Sequence, residues 1–286
     1  MLAQRAGPRL AVDELRAFLD GLPQPLPDGT TMASAVAGGV PGEWLTRDDG
    51  VAGRVVLFLH GGAYTIGSPR SHRALAARMG VAAKADVFVA DYRLAPEHPF
   101  PAAVDDARAV YRGLLDDRGV APGSLVVGGD SAGGGLTAAL LLSLKADAEP
   151  LPAGGLLLAP WLDLAMTGES LETRREADFI LDREGLSEDA RAYAGDHPLD
   201  HPLVSPLYGD LAGLPPLFVQ VGDDDVLVDD AIRFADAANL AEVEVSLDVW
   251  GGMPHVFQAF AGVVPEAEQA LHDIATWIDH LLSLES

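Results

Sequence analysis

Cysteine is absent from all 286 residues, which excludes disulfides, thiolate nucleophiles and cysteine-bound zinc. Lysine is almost absent, with only Lys84 and Lys145, and 19 basic residues face 43 acidic ones for a formal charge of −24. That balance repels polyanions, so nucleic acid and anionic membrane are disfavoured as partners. Aromatic residues make up 6% of the chain. No apolar stretch is long enough to span a bilayer, and Met1 to Arg9 lacks the apolar core of a secretory leader. The expected location is therefore cytoplasmic. What is present is a chain 49% hydrophobic, enough to bury a large core as one domain with a subdomain.

The run Leu125-Val126-Val127-Gly128-Gly129-Asp130-Ser131-Ala132-Gly133-Gly134 places a serine between glycines where an apolar strand meets a small-residue helix. Gly-x-Ser-x-Gly forces such a serine into a sharp corner, because only glycine at 129 and 133 lets the flanking backbones approach. Ser131 Oγ would stand above the sheet, with the Ala132 N–H and the positive helix end beside it. A glycine-rich turn of this kind also serves doubly wound folds for packing or for phosphate. A second turn shifts that balance. The strand Arg54 to His60 runs into Gly61-Gly62-Ala63-Tyr64, where glycines free of side chains could aim backbone N–H groups at an oxyanion. His60 could tie this loop down by hydrogen bonds.

A serine nucleophile needs a base, and the base needs an orienting acid. The strand Leu217 to Gly222 ends in Asp223-Asp224-Asp225-Val226-Leu227-Val228-Asp229, and Val243 to Trp250 leads into Gly251-Gly252-Met253-Pro254-His255-Val256-Phe257. Both loops would open at the same edge of a parallel sheet as Ser131. Of eight histidines, His255 alone follows a late strand in a Gly/Pro-rich loop. Spacing does not separate the four aspartates. The chain order Ser, acid, His is that of the α/β-hydrolase triad.

On these residues the chain resembles, over nearly its whole length, the bacterial hormone-sensitive-lipase family of esterases, in its GDSAG branch. His60-Gly61-Gly62-Ala63-Tyr64 is similar to the family's HGGG oxyanion motif, with Ala63 in place of a third glycine. Gly129-Asp130-Ser131-Ala132-Gly133-Gly134 is similar to its elbow, and Asp91 to Ala102 to the segment between them. Asp225-Val226-Leu227-Val228-Asp229 resembles the acid motif, whose first carboxylate serves the triad, and Pro254-His255-Val256-Phe257 the histidine segment. The resemblance implies Ser131, Asp225 and His255 as catalytic residues, with Gly61, Gly62 and Ala132 forming the oxyanion hole. It also implies architectural roles for Asp91, Arg93 and Glu97, and a homodimer through the last sheet edge, Val243 to Val249.

Strands near 44–47, 54–60, 87–92, 125–128, 155–160, 217–222 and 243–250 alternate with helices near 71–85, 102–117, 132–145, 229–240 and 266–284, and there is no internal repeat or low-complexity tract. That alternation predicts a mostly parallel sheet with helices on both faces, and the resemblance implies that it is an α/β-hydrolase fold. Residues 1–40, with an amphipathic helix Val12 to Leu19, and the acidic segment 162–210 break the pattern. In the family such segments form a cap, leaving 41–161 and 211–286 as the core. Candidate pocket residues are Tyr64, Asp130, Phe18, Phe179, Tyr193 and Val256. The expected activity is hydrolysis of short- to medium-chain carboxylic esters through an acyl-enzyme, with a small-molecule ester as partner and neither metal nor organic cofactor. The alternatives are a lactone hydrolase or small-molecule deacetylase with the same triad, and a non-catalytic ligand-binding member of the fold.

Overall fold

Val55-Val56-Leu57-Phe58-Leu59 is apolar at every position, which suits only a strand covered on both faces. In the computed structural model, which describes residues 10–283, it is β3 (Val55–Leu59) at the heart of an eight-stranded sheet. The other strands are β1 (Thr30–Ala37), β2 (Val40–Arg47), β4 (Asp86–Ala90), β5 (Leu125–Asp130), β6 (Gly154–Leu158), β7 (Leu217–Gly222) and β8 (Val245–Trp250). Their spatial order is β1-β2-β4-β3-β5-β6-β7-β8. From β4 to β8 the pairing is parallel, and β2 runs antiparallel to both β1 and β4.

Alternation along each strand sorts side chains to the two faces. Leu57, Leu59 and Val127 face α3 (Ala102–Asp116) and α4 (Ala132–Ala146), and α7 (Val228–Leu240) extends that layer under β6 and β7. Val56, Phe58 and Val126 face α2 (Pro69–Ala83) and α8 (Pro265–Ser283). A residue such as Phe58, wholly removed from solvent, contributes roughly 1.5–3 kcal/mol in this way. Helix α4 is apolar all round because it is covered all round: Ala132 to Leu144 are buried without a break. The segments outside this layering are α1 (Val12–Gly21), α5 (Ser170–Thr173) and α6 (Arg183–Ala194).

One boundary differs from expectation. Residues 30–37, grouped with the cap, form β1 on the sheet's antiparallel edge. Most of β1 is solvent-exposed, so it carries no apolar alternation by which to recognise it. The stretch Met1 to Arg9, read above as lacking a leader's apolar core, and position Leu284 lie outside the described residues. Among the described residues no helix is long and apolar enough to cross a membrane.

Candidate active site

Parallel pairing puts the carboxyl ends of β3, β5, β7 and β8 along one edge, and each feeds one loop of the site. After β5 the chain turns into α4 through Ser131, which has φ +54° and ψ −121°. A side chain rarely adopts that conformation, and it costs on the order of 1–3 kcal/mol. The corner is over-determined. Ser131 N–H donates to Leu158 O (2.8 Å), and Ser131 O accepts from Trp161 N–H (2.9 Å) and Gly135 N–H (3.1 Å). A Cβ at Gly133 would sit 1.9 Å from Leu59 O, and one at Gly129 would sit 2.4 Å from the same oxygen. Only glycine allows α4 to start so close to β3.

Asp225 and His255 meet. The imidazole Nδ1 lies 2.7 Å from Asp225 Oδ2, with the carboxylate fully buried, and the other oxygen accepts Leu227 N–H at 2.8 Å. With Nδ1–H donating to Asp225, Nε2 is the basic nitrogen. Burial, the largest influence, pushes the imidazole pKa down; the charge and hydrogen bond of Asp225, with Asp178 and Asp130 further off, hold it above its usual value. Geometry also separates the four aspartates. Asp223 accepts Gly252 N–H (2.6 Å), Asp229 accepts Ser170 N–H (2.8 Å), and Asp224 is joined to the histidine loop by its backbone, donating to Met253 O. Val256, half buried beside His255, has φ +49°, a strained value for a β-branched residue. Among the described residues no hydrogen bond joins Ser131 Oγ to the imidazole, a contact of the kind that tightens when substrate is bound.

The oxyanion loop corrects one assignment. Gly61 N–H does not face the site; it donates to Asp130 Oδ1 at 3.0 Å. The amides of Gly62 (φ +116°), Ala63 (φ +53°) and Ala132 donate to no protein acceptor among the described residues. Behind the loop lies a layer of which the sequence suggested only the part played by His60. His60 stacks on Tyr92 (centroids 4.3 Å), Tyr92 OH donates to His60 O (2.6 Å), and His60 Nδ1 lies 2.8 Å from Gly61 O. Burial pushes the His60 pKa down to about 3, so it is neutral. Asp130 Oδ2 lies 3.4 Å from His72 Nε2. Burial opposes both charges, yet their mutual attraction holds Asp130 below and His72 above their usual values.

Asp130 therefore ties the oxyanion loop and His72 to the elbow. Tyr64 and Tyr193 are also corrected: they stack on each other (centroids 3.6 Å) beside Trp161, entirely buried, so neither surface is open to a substrate. Phe18 and Phe179 are about half exposed, at 50% and 46%. Asp178, fully buried, joins the segment 162–210 to the acid loop by accepting Val226 N–H (3.0 Å). Arg93 pairs with Asp106, and Glu97 with Arg16. A groove of about 500 Å³ beside β2 and β4, lined in part by Asp20, Glu43 and Asp91, contains no residue of the elbow, acid or histidine loops.

A serine elbow above the carboxyl edge of a parallel sheet, with an acid–histidine pair on later strands, defines an α/β-hydrolase. The family described as alpha/beta hydrolase fold matches residues 56–259, and the chain belongs to it, on its bacterial hormone-sensitive-lipase side. It is 43% identical over 269 residues to a Streptomyces hygroscopicus protein named acetyl-hydrolase, covering 92% of this chain and 86% of that one. It is 40% identical to an Acinetobacter venetianus protein named esterase, covering 95% of this chain and 90% of that one. A crystal structure of an esterase from the bacterial hormone-sensitive lipase family is 42% identical, covers 98% of this chain and 94% of that one, and superposes with a TM-score of 0.93.

Proposed function

We propose that this protein is a serine carboxylesterase that hydrolyses short- to medium-chain esters of small molecules. The observation that carries the reading is the buried Asp225–His255 pair at the same sheet edge as the strained Ser131 elbow. Ser131 Oγ attacks the ester carbonyl carbon while His255 Nε2 takes its proton. The carbonyl oxygen becomes an oxyanion, held by the N–H groups of Gly62, Ala63 and Ala132. Collapse breaks the bond to the alcohol, which leaves with the proton from His255, and the acyl group stays on Ser131. Water then enters by the same route and releases the acid. Asp225 fixes the imidazole tautomer and stabilises the imidazolium, and each step is carried by these side chains and amides.

The relative named acetyl-hydrolase supports a preference for small acyl groups, including removal of acetyl from a small natural product. Residues 10–29 and 162–210 act as the two parts of the cap, and the exposed edge of β8 offers the surface for a homodimer. A fluorophosphonate is expected to label Ser131 stoichiometrically, and Ser131→Ala to lower ester turnover by on the order of 10³-fold or more with the fold intact. Near-normal turnover in that variant would overturn the mechanism.

A further inference from the structure

The oxyanion loop is held from outside by both parts of the cap, and they converge on one residue. Between Gly62 and Gly67 four residues are left-handed, and two of them, Ala63 (φ +53°) and Tyr64 (φ +62°), are not glycine. Such a turn springs back unless its surroundings fix it. Thr65, within that turn and only 1% exposed, is hydrogen-bonded from two directions. Its carbonyl oxygen accepts from Arg16 Nε of α1 at 2.8 Å. Its hydroxyl donates to Asp189 Oδ1 of α6, a buried carboxylate, at 3.0 Å. The same Arg16 reaches Ala95 O (2.9 Å), and Ala95 N–H in turn donates to Tyr64 O (2.9 Å). Both oxygens of Glu97 accept from the rest of the guanidinium, so none of its three nitrogens is idle. Tyr193 of α6 lies flat against Tyr64. Inside the turn, Thr65 N–H and Ile66 N–H both donate to Gly62 O, which ties the orientation of the Gly62 peptide to the position of Thr65.

We infer that Thr65 is a positioning residue through which the two cap segments set the aim of the Gly62 and Ala63 amides. On this view the cap governs transition-state stabilisation as well as access to Ser131. The inference rests on the reading of Ser131 as nucleophile and of those amides as oxyanion donors. Donors displaced by a fraction of an ångström bind the developing charge less well, while the neutral ester in the ground state hardly notices.

The test uses the full-length enzyme with p-nitrophenyl acetate and a trifluoromethyl ketone, which adds to a nucleophilic serine as a tetrahedral oxyanion. Thr65→Val, which keeps the shape and removes the hydroxyl, is expected to lower kcat by about 10- to 100-fold with little change in KM. The ketone should bind correspondingly more weakly, and Thr65→Ser should restore both. Arg16→Gln, at the outer face and less exposed to misfolding, is expected to show the same pattern in weaker form. A rise in KM at constant kcat, or a lowered melting temperature with unchanged kcat and ketone affinity per folded enzyme, overturns the inference. Fluorophosphonate labelling separates the levels. If wild-type Ser131 is labelled but Thr65→Val keeps full kcat, only the positioning role falls; if Ser131 is not labelled, the serine reading falls and takes this one with it.

Discussion

Left-handed backbone marks four of the carboxyl strand ends: Ala63 and Tyr64 after β3, Ser131 after β5, Ala159 after β6 and Val256 after β8. Each costs free energy that the surrounding hydrogen bonds must offset, so their gathering at one edge points to chemistry there and not to folding economy. At this scale the electrostatics make a sharp statement about pH. The base works only when neutral, and the Asp225 charge and hydrogen bond hold the His255 pKa above its usual value against the pull of burial. In the wild type, kcat/KM is therefore expected to fall on acidification through an apparent pKa above the ordinary histidine value of ~6.5. Asp225→Asn removes the raising influence, so the residual acid limb should move to lower pH while kcat drops by up to roughly 10⁴-fold; Asp223→Asn and Asp224→Asn should stay within about tenfold. Rate measurements across pH 5 to 9 on the three variants check this, and an unmoved limb in Asp225→Asn would count against the pairing. The elbow serine and the histidine proposed as its base stood out in the sequence because each sits in a pattern a few residues long. Choosing Asp225 over its neighbours needed the family resemblance, since all four lie within one loop. The Gly61 assignment failed because an amide is free or engaged according to what lies behind it, and Asp130 comes from another strand.

The elements of the core were legible for a different reason. Strands buried on both faces read as unbroken apolar runs, and β7 was located to the residue from its sequence alone. Edge strand β1 escaped, because solvent on most of its surface removes the selection for apolar side chains that makes a strand visible. How α4 meets β3 could be expected only in outline, since close approach is a property of two elements at once. The structure gives it a number: a Cβ at Gly133 would lie 1.9 Å from Leu59 O and 2.7 Å from His60 O, both backbone atoms with no room to yield. Alanine is the better helix former by about 0.5–1 kcal/mol, yet the clash is the larger effect. Gly133→Ala is expected to destabilise the protein by about 1–3 kcal/mol or more. Gly21→Ala, at the end of α1 with nothing within 4 Å of the added atom, should fall within about 0.5 kcal/mol of wild type. Urea denaturation of both variants decides it, and equal midpoints would show that α4 can retreat from the sheet.

For the whole molecule, what matters is that the segments proposed as the cap are fastened to the core at points that belong to the proposed site. Arg16 and Asp189 hold Thr65, Asp178 holds the Val226 amide next to Asp225, and the Tyr64–Tyr193 stack fills the space behind the oxyanion loop. On the proposed cap reading, a lid fastened in this way cannot swing aside for an extended chain without releasing the loops that align the chemistry. None of these contacts was legible beforehand, because each joins residues far apart in sequence whose types are ordinary on any surface. The consequence is a limit on acyl length. Esters with acyl chains of C2 to about C8 are expected to react much faster than C16 esters, because the long chain must displace cap contacts whose loss also lowers kcat. An acyl series of p-nitrophenyl esters, compared by kcat/KM below their solubility limits, measures the dependence directly. A profile that keeps rising to C16 would mean that the cap opens independently of the oxyanion loop, and the fastening described here would not restrain it.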